Sequence, residues 1–302
     1  MSDLSSIRFD NQVIVVTGAG RGLGAAYARL LAARGGAVVV HDAGVAQDGS
    51  GFDPSVADAV VAEITAAGGI AAACYENLED EAACARVVAF AIDRFGRLDA
   101  LVHNAGLVIF AGLEETGAVW HRMVAVGIDA PFHLARAAVP HMRGQGYGRI
   151  VLTTSGRAMR VEDCVPGLVA YSAAKMAQVG LMVGLAAELA GTGIRVNAIS
   201  PVAATRVLRR SAPELKPELV APGVAFLASS ACQISGAVLC AAGGRFSVAS
   251  WGRNEGVALG PTPASVEDIA GRWRQIALTP AKRSASPRRP PRRRKDPAPS
   301  PP

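Results

Sequence analysis

The run Val13-Ile14-Val15-Val16-Thr17 passes directly into Gly18-Ala19-Gly20-Arg21-Gly22-Leu23-Gly24, and Ala25 to Arg34 are good helix formers. A β-branched run without polar alternation is the pattern of a strand buried on both faces, and such strands belong to parallel sheets. A glycine-rich hand-over from strand to helix lets N–H groups at the helix N-terminus approach a pyrophosphate without Cβ clashes. A flexible glycine loop would look the same in isolation. The strand before, the helix after and the acid Asp42 that follows give the turn its context.

Six further apolar runs, centred on Val39, Ala72, Leu101, Val151, Val196 and Leu239, alternate with helical stretches. Together with the run at Val15 they predict a doubly wound, mostly parallel seven-stranded α/β sheet of Rossmann type with helices on both faces. Ligands of such sheets bind beyond the carboxyl ends of the strands. No internal repeat and no second folded domain is evident.

Tyr171 and Lys175 are spaced i, i+4, so they share one helix face. A free tyrosine, with a pKa of about 10, is a poor base at neutral pH, and a cation beside it favours the phenolate. Bringing that pKa near 7 needs roughly 4 kcal/mol. Ser155 lies upstream, just after the apolar run Arg149-Ile150-Val151-Leu152.

With Thr17-Gly18-x-x-x-Gly22-x-Gly24, Asn104-Ala105-Gly106, Ser155 and Tyr171-x-x-x-Lys175 in order, the chain resembles the short-chain dehydrogenase/reductase family from about Phe9 to Gly244. The Asp42–Pro54 loop, Leu215-Lys216-Pro217-Glu218-Leu219-Val220-Ala221-Pro222, Trp251 to Gly260 and Thr262 to Trp273 narrow this further. They look like the (3R)-hydroxyacyl-CoA dehydrogenase part of peroxisomal multifunctional enzymes of type 2. The resemblance implies an NAD(P)-dependent enzyme acting on a CH–OH group, with Ser155, Tyr171 and Lys175 as catalytic residues. Tyr171 takes the hydroxyl proton, Lys175 lowers the tyrosine pKa and holds the nicotinamide ribose, and Ser155 steadies the substrate oxygen.

The same resemblance implies a cofactor cradle of Gly18, Gly20, Arg21, Gly22, Leu23 and Gly24. Asn77 and Leu78 flank adenine, Asn104, Ala105 and Gly106 run beside the cofactor, and Pro201 and Thr205 lie near the nicotinamide. Asp42 ends the second strand, where a carboxylate accepts from the adenosine ribose hydroxyls and repels a 2′-phosphate. NAD is therefore expected over NADP, with Arg21 as the contrary hint. No metal site is expected. The partners implied are a small-molecule substrate and further copies of the chain in a homodimer or homotetramer, through long helices near Glu115–Arg143 and Ala170–Ala190.

Two departures from the family pattern stand out. Gly127 occupies the place of the usual catalytic Asn, which predicts a loosened helix and a wider pocket while leaving a main-chain carbonyl for a proton relay. Val202 replaces a glycine after Pro201. These favour an alternative reading, a non-redox or degenerate member such as an isomerase, cyclase or cofactor-binding scaffold. The long loop Arg157 to Pro166 brings Arg157, Arg160, Glu162 and Asp163 near the substrate mouth, where a solvated loop is expected over specific substrate contacts. Asp99 reads as structural.

The charge of +6 belongs to the end of the chain. Residues 280–302 carry eight Lys or Arg against Asp296 alone, leaving the rest near neutral. This Pro/Arg-rich stretch is expected to be a disordered tail, more solvated than bound to polyanions, so no specific nucleic-acid partner is inferred. The catalytic domain is expected over 1–279, with 245–279 as a C-terminal extension. Met1 to Asp10 is polar and reads as no secretory leader. Leu219 to Gly244 lacks charge but is interrupted by Pro222, Ser229, Ser230 and Gly236, which argues for a helix and a final strand and against a membrane span. Five cysteines, Cys74, Cys84, Cys164, Cys232 and Cys240, have no metal-ligand spacing and read as reduced thiols. A cytoplasmic protein is the resulting expectation.

Overall fold

The computed structural model describes residues 7–204 and 212–277. Two compact units are distinguished, Met1–Ser250 and Trp251–Pro302. Within the second, helix α9 spans Val266–Ala277, and the Asn254 side-chain amide donates to the Ile276 carbonyl.

The first unit is built on one sheet in the order β3-β2-β1-β4-β5-β6-β7-β8. The strands are β1 Val13–Thr17, β2 Ala37–His41, β3 Ile70–Cys74, β4 Ala100–His103, β5 Gly148–Thr153, β6 Ile194–Val202, β7 Val238–Ala242 and β8 Arg245–Ala249. The helices that carry or support the site are α1 Gly22–Ala33, α2 Ser55–Ala66, α3 Glu81–Phe95, α4 Gly117–Val124, α5 Ala130–Gln145, α6 Gly156–Met159, α7 Val169–Glu188 and α8 Ala221–Ala228. All seven expected strands form, and each neighbouring pair among them is parallel.

The eighth strand corrects the expected count of seven. β8 pairs antiparallel with β7, Ala242 opposite Arg245, across a turn of Gly243 and Gly244 that both hold φ > 0. Two left-handed residues between strands are the tight hairpin geometry that glycine allows. The Gly-Gly pair was the available signal. The sheet therefore ends in a hairpin, and the strand at Leu239 is not the last.

Alternation along β1 divides the core. Ile14 and Val16 join Ala28, Val60 and Val224 on one face, while Val13 and Val15 join Val87, Leu134 and Met182 on the other. A period of two sends successive side chains to opposite layers, so a wholly apolar strand needs helices on both. The charged Asp99 at the base of β4 is structural, as expected. It accepts from the Val13 N–H at 2.8 Å and pairs with Arg97 at 2.7 Å.

The long helix expected at Glu115–Arg143 is instead α4 and α5 joined by a π-helical segment, Ala125–Asp129. Helix α7 is apolar and long enough to cross a membrane by composition. Its buried face, with Ala170, Ala174, Gln178, Val179 and Met182, is that of a helix packed within the fold.

Candidate active site

A cavity of about 580 Å³ opens at the carboxyl ends of the central strands, lined by Gly18, Asn104, Ser155 and Pro201 among others. β1 and β4 are neighbours in the sheet though not in sequence. Between them the chain reverses direction of winding, and a crevice forms there.

At one end the glycine turn shapes a phosphate cradle. Gly18 holds φ +63°, and a Cβ on it would stand 2.9 Å from the Ala105 Cα. Gly24 lies against the Gly18 carbonyl with no room for a side chain. Gly18, Arg21, Gly22 and Leu23 line the cavity, whereas Gly20 and Gly24 stand behind its wall. The Gly20 N–H donates to Asp42 Oδ2 at 2.9 Å, and the Gly44 N–H to Asp42 Oδ1 at 2.8 Å. Asp42 itself faces the cavity with Asn77 and Leu78. The Arg21 guanidinium is turned to the Val45 carbonyl at 3.3 Å. A φ > 0 glycine turn at the start of α1 and a carboxylate at the end of β2 fit the two ends of an adenosine diphosphate group.

The middle of the cavity is held by Thr17. Its Oγ1 accepts from the N–H groups of Asn104 and Ala105, each at 3.1 Å, and pairs with His103 Nδ1. The Asn104 side-chain amide donates to the carbonyls of Thr17 and Gly18. Asn104, Ala105 and Gly106 are thereby locked against the glycine turn and face the cavity. His103 is buried, and burial together with the Lys175 charge pushes its pKa down to about 3.

At the other end Ser155, Tyr171 and Lys175 line the same cavity. Ser155 follows β5 and caps α6, its Oγ accepting from the Arg157 N–H at 3.3 Å. Tyr171 and Lys175 lie one turn apart on α7, as the spacing predicts. Burial lifts the Tyr171 hydroxyl above its ordinary 10, opposed by its hydrogen bond with Ser155 and by the charge of Arg157. Burial pushes Lys175 down to about 8, and its Nζ donates to the Thr153 carbonyl at 2.8 Å. In this geometry the Lys175 ammonium is directed at Thr153.

The reading of Gly127 also changes. Gly127 is buried in the π segment, and a Cβ on it would lie 2.7 Å from the Ala174 Cβ. Helix packing takes up the space left by the missing side chain, so the pocket is not widened there. The Gly127 carbonyl, expected to serve a proton relay, accepts from Gln178 Nε2 at 3.1 Å. Gln178 Oε1 in turn accepts from the Thr153 N–H at 3.1 Å.

Pro201 lies at the cavity wall with Val202 and Ala203. Thr205 lies within residues 205–211, which fall outside the described residues, as does the tail from 280. Of the long loop, Arg157 and Asp163 reach the cavity. Arg160 and Glu162 do not line it, and Arg160 pairs with Asp163 at 2.8 and 3.0 Å. Sequence reasoning missed His41, Glu76 and Val126 in the wall, because nothing in a single sequence marks which side chains of β2, β3 and the π segment turn toward a shared crevice. Among the described residues no cluster of three potential metal ligands occurs.

Comparison with known proteins agrees with this architecture. The short chain dehydrogenase family profile matches residues 12–214. The peroxisomal multifunctional enzyme type 2 of Drosophila melanogaster is 38% identical over 279 residues, covering 89% of this chain and 46% of its own. The chain thus spans about half the length of that relative. Among solved structures, a short chain dehydrogenase from Mycobacterium avium superposes with a TM-score of 0.78 at 35% identity, over 89% of this chain and 95% of that one. A 7α-hydroxysteroid dehydrogenase complexed with NADH and 7-oxo glycochenodeoxycholic acid superposes with a TM-score of 0.72 at 30% identity, over 81% and 98%. The chain belongs to the short-chain dehydrogenase family, oxidoreductases that act on CH–OH groups with NAD(P).

Proposed function

We propose that the enzyme interconverts a secondary alcohol and a ketone with NAD(H), on a 3-hydroxyacyl thioester or a related bulky intermediate. The observation that carries this reading is the placement of Ser155, Tyr171 and Lys175 on one wall of the cavity whose other end is the Gly18–Leu23 turn and Asp42. When bound, the dinucleotide supplies a hydride acceptor or donor at its nicotinamide ring. Ser155 Oγ holds the substrate oxygen, and Tyr171 takes the proton of the alcohol or returns it to the ketone oxygen. Stabilising the developing oxyanion by fixed donors in a water-poor cleft is the larger part of such catalysis. Lys175 holds a ribose hydroxyl in this reading, which its position beside Gly106 and the Thr153 carbonyl supports.

NAD over NADP rests on Asp42 lining the cavity while Arg21 is turned to Val45. A homodimer or homotetramer is proposed through α5 and α7, where the apolar side chains Phe132, Met176 and Val183 are exposed.

Turnover of NADH with 3-oxoacyl thioesters and cyclic ketones tests the reading, with Tyr171→Phe as its control. Loss of the tyrosine oxygen is expected to remove about 10²–10⁴-fold of activity while NAD still binds, as general acid–base groups are typically worth that much. Full activity in Tyr171→Phe would sink the mechanism. The second reading, a non-redox or degenerate member, draws on the Gly127 carbonyl being taken by Gln178. It predicts cofactor binding with no turnover of any ketone in the panel.

A further inference from the structure

Charges in the cavity wall are almost all matched. Asp42 is held by the N–H groups of Gly20 and Gly44. Glu76 pairs with Arg86 at 2.7 Å and Glu79 with Arg122 at 3.2 Å, and Asp163 is held by Arg160. Of the cations, Lys175 donates to Thr153 and Arg21 to Val45. Arg157 is the exception. It is half-buried and lines the cavity beside Ser155 and Tyr171, yet among the described residues its guanidinium makes no hydrogen bond or ion pair. Its backbone is nonetheless fixed. The Arg157 N–H donates to Ser155 Oγ and the Ser172 hydroxyl donates to the Arg157 carbonyl, both at 3.3 Å.

A guanidinium is strongly preorganised for a carboxylate, which it meets with two parallel N–H donors. A guanidinium that lines a cavity with no protein partner leaves its donors open to an anionic group of a ligand. We propose that Arg157 is a specificity-determining residue of this site, binding a carboxylate that the substrate carries a few bonds from the reacting carbonyl. This deepens the alcohol–ketone reading and rests on it. Ser155 and Tyr171 fix the carbonyl oxygen, and Arg157, anchored to Ser155 and to the first turn of α7, fixes the acid. Of the substrates in that reading, the choice then falls on a related intermediate that carries a free carboxylate, and oxo acids and hydroxy acids are preferred over their neutral esters.

The test compares acetoacetate with ethyl acetoacetate as oxidants of NADH, in the wild-type enzyme and in Arg157→Gln and Arg157→Lys. The quantity read is the ratio of kcat/KM for the acid to that for the ester. Both substrates use Tyr171, so any effect of the lost charge on its acidity cancels in that ratio. Wild-type enzyme is expected to favour the acid, and Arg157→Gln to reduce the ratio roughly 10–100-fold, the worth of a charge-assisted hydrogen bond. The loss should appear mainly in KM, with partial retention in Arg157→Lys. An unchanged ratio in Arg157→Gln, or a wild-type preference for the ester, overturns the proposal. Calorimetric titration of acetoacetate into the NAD-saturated protein reads the same contact without turnover. Arg157-dependent binding with no turnover of either compound would leave this proposal standing and remove the redox reading. Turnover of both without acid preference would do the reverse.

Discussion

Gly127 and Ala174 meet where the π segment crosses α7, so closely that a Cβ at position 127 would lie 2.7 Å from the Ala174 Cβ. Glycine is thus used at a helix–helix contact, where its helix-propensity cost of about 1 kcal/mol is offset by close approach. That contact holds Lys175, the neighbour of Ala174, against the end of β5. Gly127→Ala is expected to lower the melting temperature despite its better propensity, because overpacking typically costs about 1–3 kcal/mol. Gly127→Asn should cost more and reduce turnover. Adding Ala174→Gly to Gly127→Ala should recover part of the loss in thermal unfolding. Restored activity in Gly127→Asn alone would show that the helices separate readily.

Lys175 links stability to pH. Its pKa falls from the ordinary 10.5 to about 8 on burial, so between those values the unfolded chain binds the proton and the folded chain does not. Stability contributed by this group therefore rises with pH through that window and is lowest below it. Lys175→Met should abolish that rise relative to wild type in melts taken across the window, and should also lose turnover. An identical pH dependence in both proteins would contradict the burial of the ammonium.

Thr17 makes a separate prediction. Its buried hydroxyl accepts from the N–H groups of both Asn104 and Ala105, and valine keeps the shape without the acceptor. Leaving buried donors unmet costs about 1–3 kcal/mol. Thr17→Val should lower the melting temperature by several degrees, at roughly 2–4 °C per kcal/mol for a domain of this size. It should also weaken dinucleotide binding, since the Asn104–Gly106 segment loses its anchor. Unchanged affinity would mean that the Asn104 side chain alone holds the loop.

The proposed preference for NAD rests on Asp42. NAD(H) is expected to bind more tightly than NADP(H) in fluorescence titrations. Asp42→Asn keeps an acceptor for Gly20 but removes the charge, and should improve NADP(H) affinity roughly tenfold or more, since like-charge juxtaposition costs several kcal/mol. Tighter NADP(H) binding by the wild type would mean that Arg21 leaves Val45 for the phosphate.

What the sequence determined alone is local in origin. The apolar run of β1, the glycines at 18, 22 and 24, and the i, i+4 pair Tyr171 and Lys175 each have conformations set by neighbours in the chain. They sufficed for a parallel sheet, its crossovers and the residues at its strand ends. The structure put nearly all of the described site residues on one cavity. Other features depend on which elements touch. The eighth strand exists because β7 offers an edge to a short run that has little to bury. Gly127 looked like added space until Ala174 filled it. The Tyr171 environment, the diversion of the Gly127 carbonyl to Gln178, and the unpaired Arg157 all arise between segments far apart in sequence. Burial and charge pairing are properties of that packing, and no local pattern encodes them.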